Sequence, residues 1–241
     1  MDKHVRRLLA VVLAAVLVCG GVRIFGAVPA VAAKDTLPDG FIGVYTAQDL
    51  YDIRNNRFGN YCLMDDINLA SWGNWEPIGT YSEPFQGMLL GNGHVIQNLS
   101  IQSDNIDYAG LFGVVNGSAI HDFVLKNVSI SINNSGSLYV GGIAGYSLAT
   151  ITQCGVTGNF NISSSSSGGV VAVGGIVGNG TVSSGYFSGA ITVSNPIGGG
   201  YLGGIAGISG ISSNCYSRGT LNGEFLNAGV VEVFLVLMPL G

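Results

Sequence analysis

The chain has 241 residues, of which 39 are Gly, 47% are hydrophobic and only 10% are charged, and its formal net charge is −5. A composition this rich in apolar residues and this poor in charge argues against an intrinsically disordered chain. The acidic balance argues against a nucleic-acid binder, which needs clustered Lys and Arg to displace counterions from phosphates.

Residues 1–33 have the composition of an export signal. A basic segment, 1–7, precedes an unbroken apolar run at 8–18, which is shorter than the roughly 20 residues that a membrane span needs. Small residues then precede Lys34, and we expect a signal peptidase to cleave near Ala33. An uncleaved N-terminal anchor is the alternative. The sequence therefore predicts a secreted or cell-surface protein.

Residues 34–107 carry most of the charge and are predicted to form the first, capping part of the fold. Residues 47–55 are predicted to form one short cap helix. The aromatic residues of this segment are densest at Trp72, Trp75, Tyr81 and Phe85. Two hypotheses compete for this group: packing beneath the N-terminal coil, or a platform on which sugar rings stack, with Trp72, Trp75 and Tyr81 as the glycan-stacking residues.

Residues 108–223 contain a repeated Gly-rich motif. Copies at 139–145, 172–178 and 201–207 share the pattern Val/Leu-Gly-Gly-Ile-Ala/Val-Gly, and a shorter copy lies at 108–113. The final glycines of the copies are 32, 33 and 29 residues apart, and a tail after each of the last three reaches a further glycine, at Gly158, Gly189 and Gly219. A repeat of this length that cannot bury its own apolar face must stack on its neighbours.

The repeats also contain the pattern of short strands. Residues 128–132 and 190–194 alternate strictly between apolar and polar side chains, which indicates strands with one face directed inward. The glycines of the motif are predicted to be structural, because they let the chain turn or let adjacent coils approach closely. They are Gly110, Gly113, Gly141, Gly142, Gly145, Gly174, Gly175, Gly178, Gly203, Gly204 and Gly207.

These motifs resemble the GLUG repeats of large bacterial surface and secreted proteins, including segments of IgA-specific peptidases and haemagglutinin-like adhesins. The resemblance covers about residues 41–223 and includes the segments 46–50, 65–69, 75–79 and 84–96. It implies an all-β fold, a right-handed parallel β-helix, in which 34–107 and the GLUG-type repeats of 108–223 form one solenoid.

Three cysteines, Cys62, Cys154 and Cys215, remain after the signal is removed. If Cys154 and Cys215 occupy equivalent sites two repeats apart, stacking at about 4.8 Å per coil separates them by roughly 10 Å or more. A disulfide needs Cα atoms within about 7 Å of each other. We therefore predict that both are free thiols that face inward.

The sequence does not assemble an active site. Residues 123–223 contain no Asp or Glu and only two charged side chains, Lys126 and Arg218, so most of the solenoid lacks the paired carboxylates or Ca²⁺ ligands of polysaccharide-active enzymes. His94 is predicted to lie in a turn, and no zinc-binding motif is present. The carboxylates cluster instead at Asp65, Asp66, Glu76, Glu83, Asp104 and Asp107.

Residues 224–241 depart from the repeat pattern. Glu232 stands where the motif has Gly, and the residues that follow it are strongly apolar. One interpretation is a truncated or frameshifted coil, and the other is a hydrophobic cap or partner strand. In either case an open solenoid end exposes strand edges and favours end-to-end self-association.

The sequence as a whole predicts an exported, non-catalytic repeat module, adhesin-like or structural, that presents a rigid, uncharged surface to a protein or glycan at the cell exterior. No catalytic residue, cofactor or metal ligand is predicted, and neither a nucleic-acid partner nor a membrane span in the mature chain is expected. The alternatives are a β-helix carbohydrate-active enzyme, that is, a polysaccharide lyase or hydrolase, and an inactive fragment of a larger surface protein.

Overall fold

The computed structural model describes residues 36–117, 119–209 and 212–232. Over this range the chain is an all-β solenoid of about 5 turns, in which parallel strands stack from coil to coil. The fold class predicted from the repeats is thereby confirmed. The predicted export signal, with its cleavage site near Ala33, lies outside the described residues.

The helical segments are α1 (Ala47–Asp52) and a 3₁₀ turn (Ile53–Asn55). The strands, in chain order, are β1 (Ile42–Val44), β2 (Asn60–Leu63), β3 (Ile67–Asn68), β4 (Met88–Gln97), β5 (Ser100–Ser103), β6 (Tyr108–Ala109), β7 (Phe112–Val115), β8 (Ala119–Asn134), β9 (Leu138–Val140), β10 (Ala144–Thr152), β11 (Gly155–Ser164), β12 (Val171–Gly174), β13 (Val177–Ser183), β14 (Tyr186–Gly203), β15 (Ala206–Ser209) and β16 (Tyr216–Glu232).

Helix α1 is the short cap helix predicted at 47–55. It begins with a capping box: the Asp49 backbone N–H donates to Thr46 Oγ1 over 3.1 Å, and the Thr46 backbone N–H donates to Asp49 Oδ2 over 3.0 Å. These bonds satisfy two backbone donors that a helix start leaves unpaired. Leu50 and Ile53 are fully buried, so the helix and the turn after it pack against the core of the first coils.

The repeat motif sets the register of the solenoid. Val177 pairs with Ala144 in the preceding coil and with Ala206 in the following one. The glycines that follow these three residues, Gly145, Gly178 and Gly207, therefore form one column. A second column contains Gly158, Gly189 and Gly219, which pair directly. The spacings seen in the sequence are thus the lengths of individual coils.

The glycines of the motif are needed because backbones approach each other closely at these points. A Cβ atom on Gly178 would lie 2.5 Å from Gly145 O and 2.6 Å from Val140 N. These distances are shorter than real Cβ contacts, and both neighbours are main-chain atoms that cannot rotate away. The structural role predicted for the motif glycines has this physical cause at Gly178.

Alternation along the long strands builds the core. Phe160 of β11 pairs with Ile130 of β8 and Ile191 of β14, and all three side chains are fully buried. The residues that follow these along each strand point to the opposite face and form a polar column. They are Ser131, Asn161 and Thr192, with Asn222 paired to Thr192 in the next coil. Inward apolar and outward uncharged polar residues follow directly from the period of two in a strand.

The three cysteines of the described chain are free and buried, as predicted for Cys154 and Cys215. Tyr186 N donates to Cys154 O and Tyr216 N donates to Gly185 O, each over 3.1 Å, so Gly185 lies in the coil between the two cysteines. Burial raises the pKa of Cys154 from 9.0 to about 12. It also raises the pKa of Cys62 and Cys215.

We expect Cys62, Cys154 and Cys215 to resist alkylation in the folded protein and to react fully, without reductant, in denaturant. Because the pKa of Cys154 rises from 9.0 to about 12 on folding, folded chains hold this proton more tightly than unfolded ones. The resulting stabilisation is present below pH 9 and is lost as the pH rises toward 12. Peptide mass spectrometry after alkylation measures the labelling of each cysteine. A cysteine that stays unlabelled in unfolded, unreduced protein would contradict the prediction of free thiols.

The structure places His94 in strand β4. His94 is predicted to lie in a turn, but the chain bends just before it, inside β4, where Asn92 and Gly93 have φ values of 52° and 72°. His94 itself is not a turn residue, because it follows this bend and is buried in the strand.

Strand β16 crosses the predicted boundary at 223, and Glu232 pairs with Gly203, so 224–232 continue the ladder despite their different composition.

Candidate functional site

The aromatic group that stands out in the sequence is divided among three places in the fold. Trp75 is 1% exposed, and its indole Nε1–H donates to Leu111 O over 3.1 Å. Phe85 is fully buried against Phe112, with ring centroids 4.9 Å apart. Tyr81, in contrast, is 73% exposed. Only Tyr81 of these residues offers a freely accessible ring.

The two tryptophans pack with the cap helix. Tyr51 of α1 lies 4.8 Å from Trp72 and 5.8 Å from Trp75, measured between ring centroids. The Arg54 guanidinium lies 3.6 Å from the Tyr51 ring centroid and forms a 2.9 Å ion pair with Glu76. The stacking hypothesis is therefore wrong for Trp75, whose buried ring has no face left for a sugar. Trp72 is partly buried in the same packing.

Four tyrosines form a surface group that we call the tyrosine cluster: Tyr81, Tyr108, Tyr139 and Tyr146. The rings of Tyr81 and Tyr108 stack with centroids 6.1 Å apart and planes 14° apart, and those of Tyr108 and Tyr139 stack at 5.3 Å and 7°. Tyr146 meets Tyr108 and Tyr139 edge-on, at 6.4 and 6.2 Å. The sequence analysis identified one of these four residues, Tyr81, as a site residue.

The repeat positions these rings. Tyr108 of β6 pairs with Tyr139 of β9 because both begin a copy of the motif. In the next coil the equivalent residue is Ala172, which ends the row, and Tyr201 follows one coil later. An aromatic residue at the same position of two successive copies is thus a signal in the sequence that indicates stacked rings on the surface.

The loop that carries Tyr81 is held at several points. Thr80 N donates to Glu83 O over 3.0 Å, and Glu83 N donates to Thr80 Oγ1 over 3.1 Å. Arg57 Nη2 forms a 3.2 Å ion pair with Glu83 Oε1. The fully buried side chain of Phe85 fixes the loop where it re-enters the core. The exposed Tyr81 ring therefore projects from a constrained backbone.

A cavity of about 480 Å³ lies beside the tyrosine cluster. Its lining combines aromatic rings, hydroxyl groups and carboxylates: Glu76, Pro77, Gly79, Thr80, Tyr81, Ser82, Ile106, Asp107 and Tyr108. Burial makes the largest contribution to raising the pKa of Tyr108, and the neighbouring Tyr139 and Asp107 raise it further. The Tyr108 hydroxyl consequently keeps its proton in mildly alkaline solution and remains a hydrogen-bond donor.

A second cavity, of about 660 Å³, lies along the outer face of β5, β8, β11 and β14. Its lining includes Gln102, Ser131, Asn161 and Thr192, which occupy one register column, and its charged member is Asp104. No aromatic residue lines this cavity. It offers hydrogen-bonding groups along the outer face of the sheet but no ring for stacking.

The described residues contain no group of three His, Cys, Asp or Glu side chains that could hold a metal ion. His94 Nδ1 lies 3.0 Å from Asp66 Oδ1, and this contact pairs the histidine with one of the two adjacent aspartates. No helix within the described ranges has both the length and the hydropathy for crossing a membrane.

Comparisons with known proteins identify partial relatives. No protein-family model matches the chain. Halomucin of Haloquadratum walsbyi is 36% identical over 121 residues, which are 46% of this chain and 1% of halomucin. A candidate Gly-rich membrane protein of Evansella cellulosilytica is 30% identical over 121 residues, or 47% of this chain and 14% of that protein. The chain thus spans a small part of the length of either relative.

Among solved structures, a candidate immunoglobulin A1 protease from Bacteroides ovatus is similar to this chain. The match has a TM-score of 0.46 and 18% sequence identity, and it covers 78% of this chain and 83% of that chain. A similarity at this level carries no conclusion about activity.

Proposed function

We propose that the chain is an exported, non-catalytic interaction module, adhesin-like or structural, that presents a rigid solenoid surface to a protein or glycan outside the cell. The observation that carries the proposal is the tyrosine cluster: stacked rings at the surface of a continuous ladder, with Tyr81 73% exposed. Large aromatic rings that are exposed on a fixed scaffold are typical of recognition surfaces, because they lose little conformational entropy on binding.

Charge and location support the same function. Residues 123–223 have no carboxylate and two basic side chains, so most of the solenoid presents hydroxyl and amide groups rather than charge. The predicted export signal would deliver such a surface to the cell exterior. The Evansella cellulosilytica relative is named a Gly-rich membrane protein, which agrees with a location at the cell envelope.

Export of the 241-residue chain, and its binding outside the cell, test this proposal. We expect expression in a bacterial host to yield exported protein with an N-terminus near Lys34. We also expect the purified protein to bind saturably to at least one class of cell surface, glycan or protein. A chain that stays in the cytoplasm, or that binds none of these surfaces above background, would contradict the proposed function.

A carbohydrate-active enzyme is the second candidate, because Glu76 and Asp107 line the same cavity. Glycoside hydrolysis uses two such carboxylates. Against this role, the Glu76 carboxylate is bound in the ion pair with Arg54 at 2.9 Å. Release of new reducing ends or unsaturated products from polysaccharides, abolished by Glu76→Gln or Asp107→Asn, would establish the enzyme. We expect no such release.

A further inference from the structure

We propose that the cavity beside Tyr81 and Tyr108 binds a neutral glycan chain, with a sugar ring stacked on Tyr81. This inference rests on the proposed function and names both the ligand class and the site, neither of which follows from the fold. It joins three observations: an exposed ring at the end of a stacked row, an adjoining cavity of about 480 Å³, and a lining that contains acceptors and hydroxyl groups but no cation.

The first step concerns the ring. Tyr81 is the terminal member of the row, and among the described rings only Tyr108 stacks on it. At 73% exposure it leaves aromatic surface open to solvent, and it lines the cavity. The apolar C–H face of a pyranose packs against such a surface, while the equatorial hydroxyl groups of the sugar stay free for polar contacts.

The second step concerns preorganisation. The turn at 80–83 is closed by two hydrogen bonds and by the Arg57–Glu83 ion pair. Tyr108, below Tyr81 in the row, is itself stacked on Tyr139 at 5.3 Å. Holding the backbone and the supporting ring before binding reduces the entropy lost when a ligand is captured.

The third step concerns charge. The lining contains the carboxylates of Glu76 and Asp107 and the hydroxyls of Thr80, Ser82, Tyr81 and Tyr108, and it contains no Lys, Arg or His. Carboxylates accept hydrogen bonds from sugar hydroxyl groups. Arg54 compensates the charge of Glu76 through their 2.9 Å ion pair. Asp107 has no ion-pair partner among the described residues, so its carboxylate repels the carboxylates of uronates and sialic acids. The lining chemistry therefore selects a neutral chain over an anionic one.

The polar cavity at Gln102, Ser131, Asn161 and Thr192 is the competing location on the same solenoid. It lacks an aromatic ring, so a sugar there would exchange hydrogen bonds with water for similar ones with protein and gain little. The two cavities share no lining residue. A single substitution can therefore change one cavity without changing the other.

The test is a printed array that carries neutral hexose, N-acetylhexosamine, uronate and sialylated chains, probed with the exported protein and two variants. Tyr81→Ala removes the stacking ring. Tyr45→Ala removes another exposed tyrosine, 52% exposed, that does not line the cavity and serves as the matched control. Thermal unfolding of all three proteins confirms that the exposed substitutions leave the fold intact.

We expect the wild-type protein and Tyr45→Ala to bind neutral chains equally well, and Tyr81→Ala to bind them about tenfold or more weakly, the size of a central aromatic contact. Equal binding by Tyr81→Ala, or preference for uronate or sialylated chains, would overturn the inference while leaving the interaction module in place. If the protein binds only proteins or cells and no glycan, the inference fails alone. If it binds nothing, the proposed function fails as well.

Discussion

Replacement of Trp75 by Ala is expected to lower the free energy of unfolding by about 3–5 kcal/mol, the range measured when a large buried aromatic side chain is truncated. Trp75 is 1% exposed and is among the largest fully buried side chains in the described chain. Its ring meets Tyr51 of the cap helix edge-on at 5.8 Å. The substitution thus leaves a cavity and also removes the hydrogen bond from the indole to Leu111 O.

Trp75→Phe and Tyr81→Ala are the controls for this result. Trp75→Phe keeps an aromatic ring but loses the indole donor, so we expect it to destabilise the protein less than Trp75→Ala. Tyr81→Ala removes a side chain that is 73% exposed, and we expect a change within about 0.5 kcal/mol. Chemical denaturation measures all three. Equal stability of Trp75→Ala and wild type would show that Trp75 is not part of the core.

Replacement of Gly178 by Ala is expected to cost about 1–3 kcal/mol, the range for overpacking a close-packed interior. The added Cβ would lie 2.5 Å from Gly145 O, 2.6 Å from Val140 N and 2.9 Å from Tyr139 C. All three are main-chain atoms of the preceding coil. Relief of the contacts therefore requires two coils to separate, which weakens the ladder hydrogen bonds on either side.

Gly168→Ala is the matched control for Gly178→Ala. A Cβ on Gly168 would meet no atom within 4 Å, and Gly168 is an exposed residue of the loop between β11 and β12. We expect this variant to be as stable as wild type or slightly more so, because Ala restricts the unfolded chain. Thermal unfolding distinguishes the two, since about 1 kcal/mol shifts the Tm of a chain of this length by roughly 2–4 °C. Equal Tm values for the two variants would contradict the close approach of coils at Gly178.

The sequence predicts the fold well because the repeat is both local and regular. The copies that end at Gly145, Gly178 and Gly207 lie in one register column, so their spacing alone gives the length of each coil. The strict alternation at 128–132 and 190–194 similarly predicts which residues face the core. These properties depend on the period of the chain and not on distant contacts.

The candidate site is less accessible to prediction because it depends on which faces of the rings are covered. Trp75 and Tyr81 are six positions apart and equally aromatic in the sequence, yet one is buried beneath α1 and the other is exposed. The difference arises from the packing of Tyr51 against Trp75 and from the hydrogen bonds of the turn at 80–83. Neither contact recurs from one copy of the motif to the next, so the repeat pattern predicts neither of them.

Size-exclusion chromatography of the exported protein mixed with a soluble galactomannan, with light scattering to report polymer mass, tests the proposed non-catalytic glycan-binding module most directly. We expect the protein to co-elute with the polymer and the polymer to keep its molar mass throughout the incubation. Tyr81→Ala should elute as free protein under the same conditions. A fall in polymer mass would contradict the non-catalytic role, and separate elution of wild-type protein and polymer would contradict the binding of a neutral glycan at Tyr81.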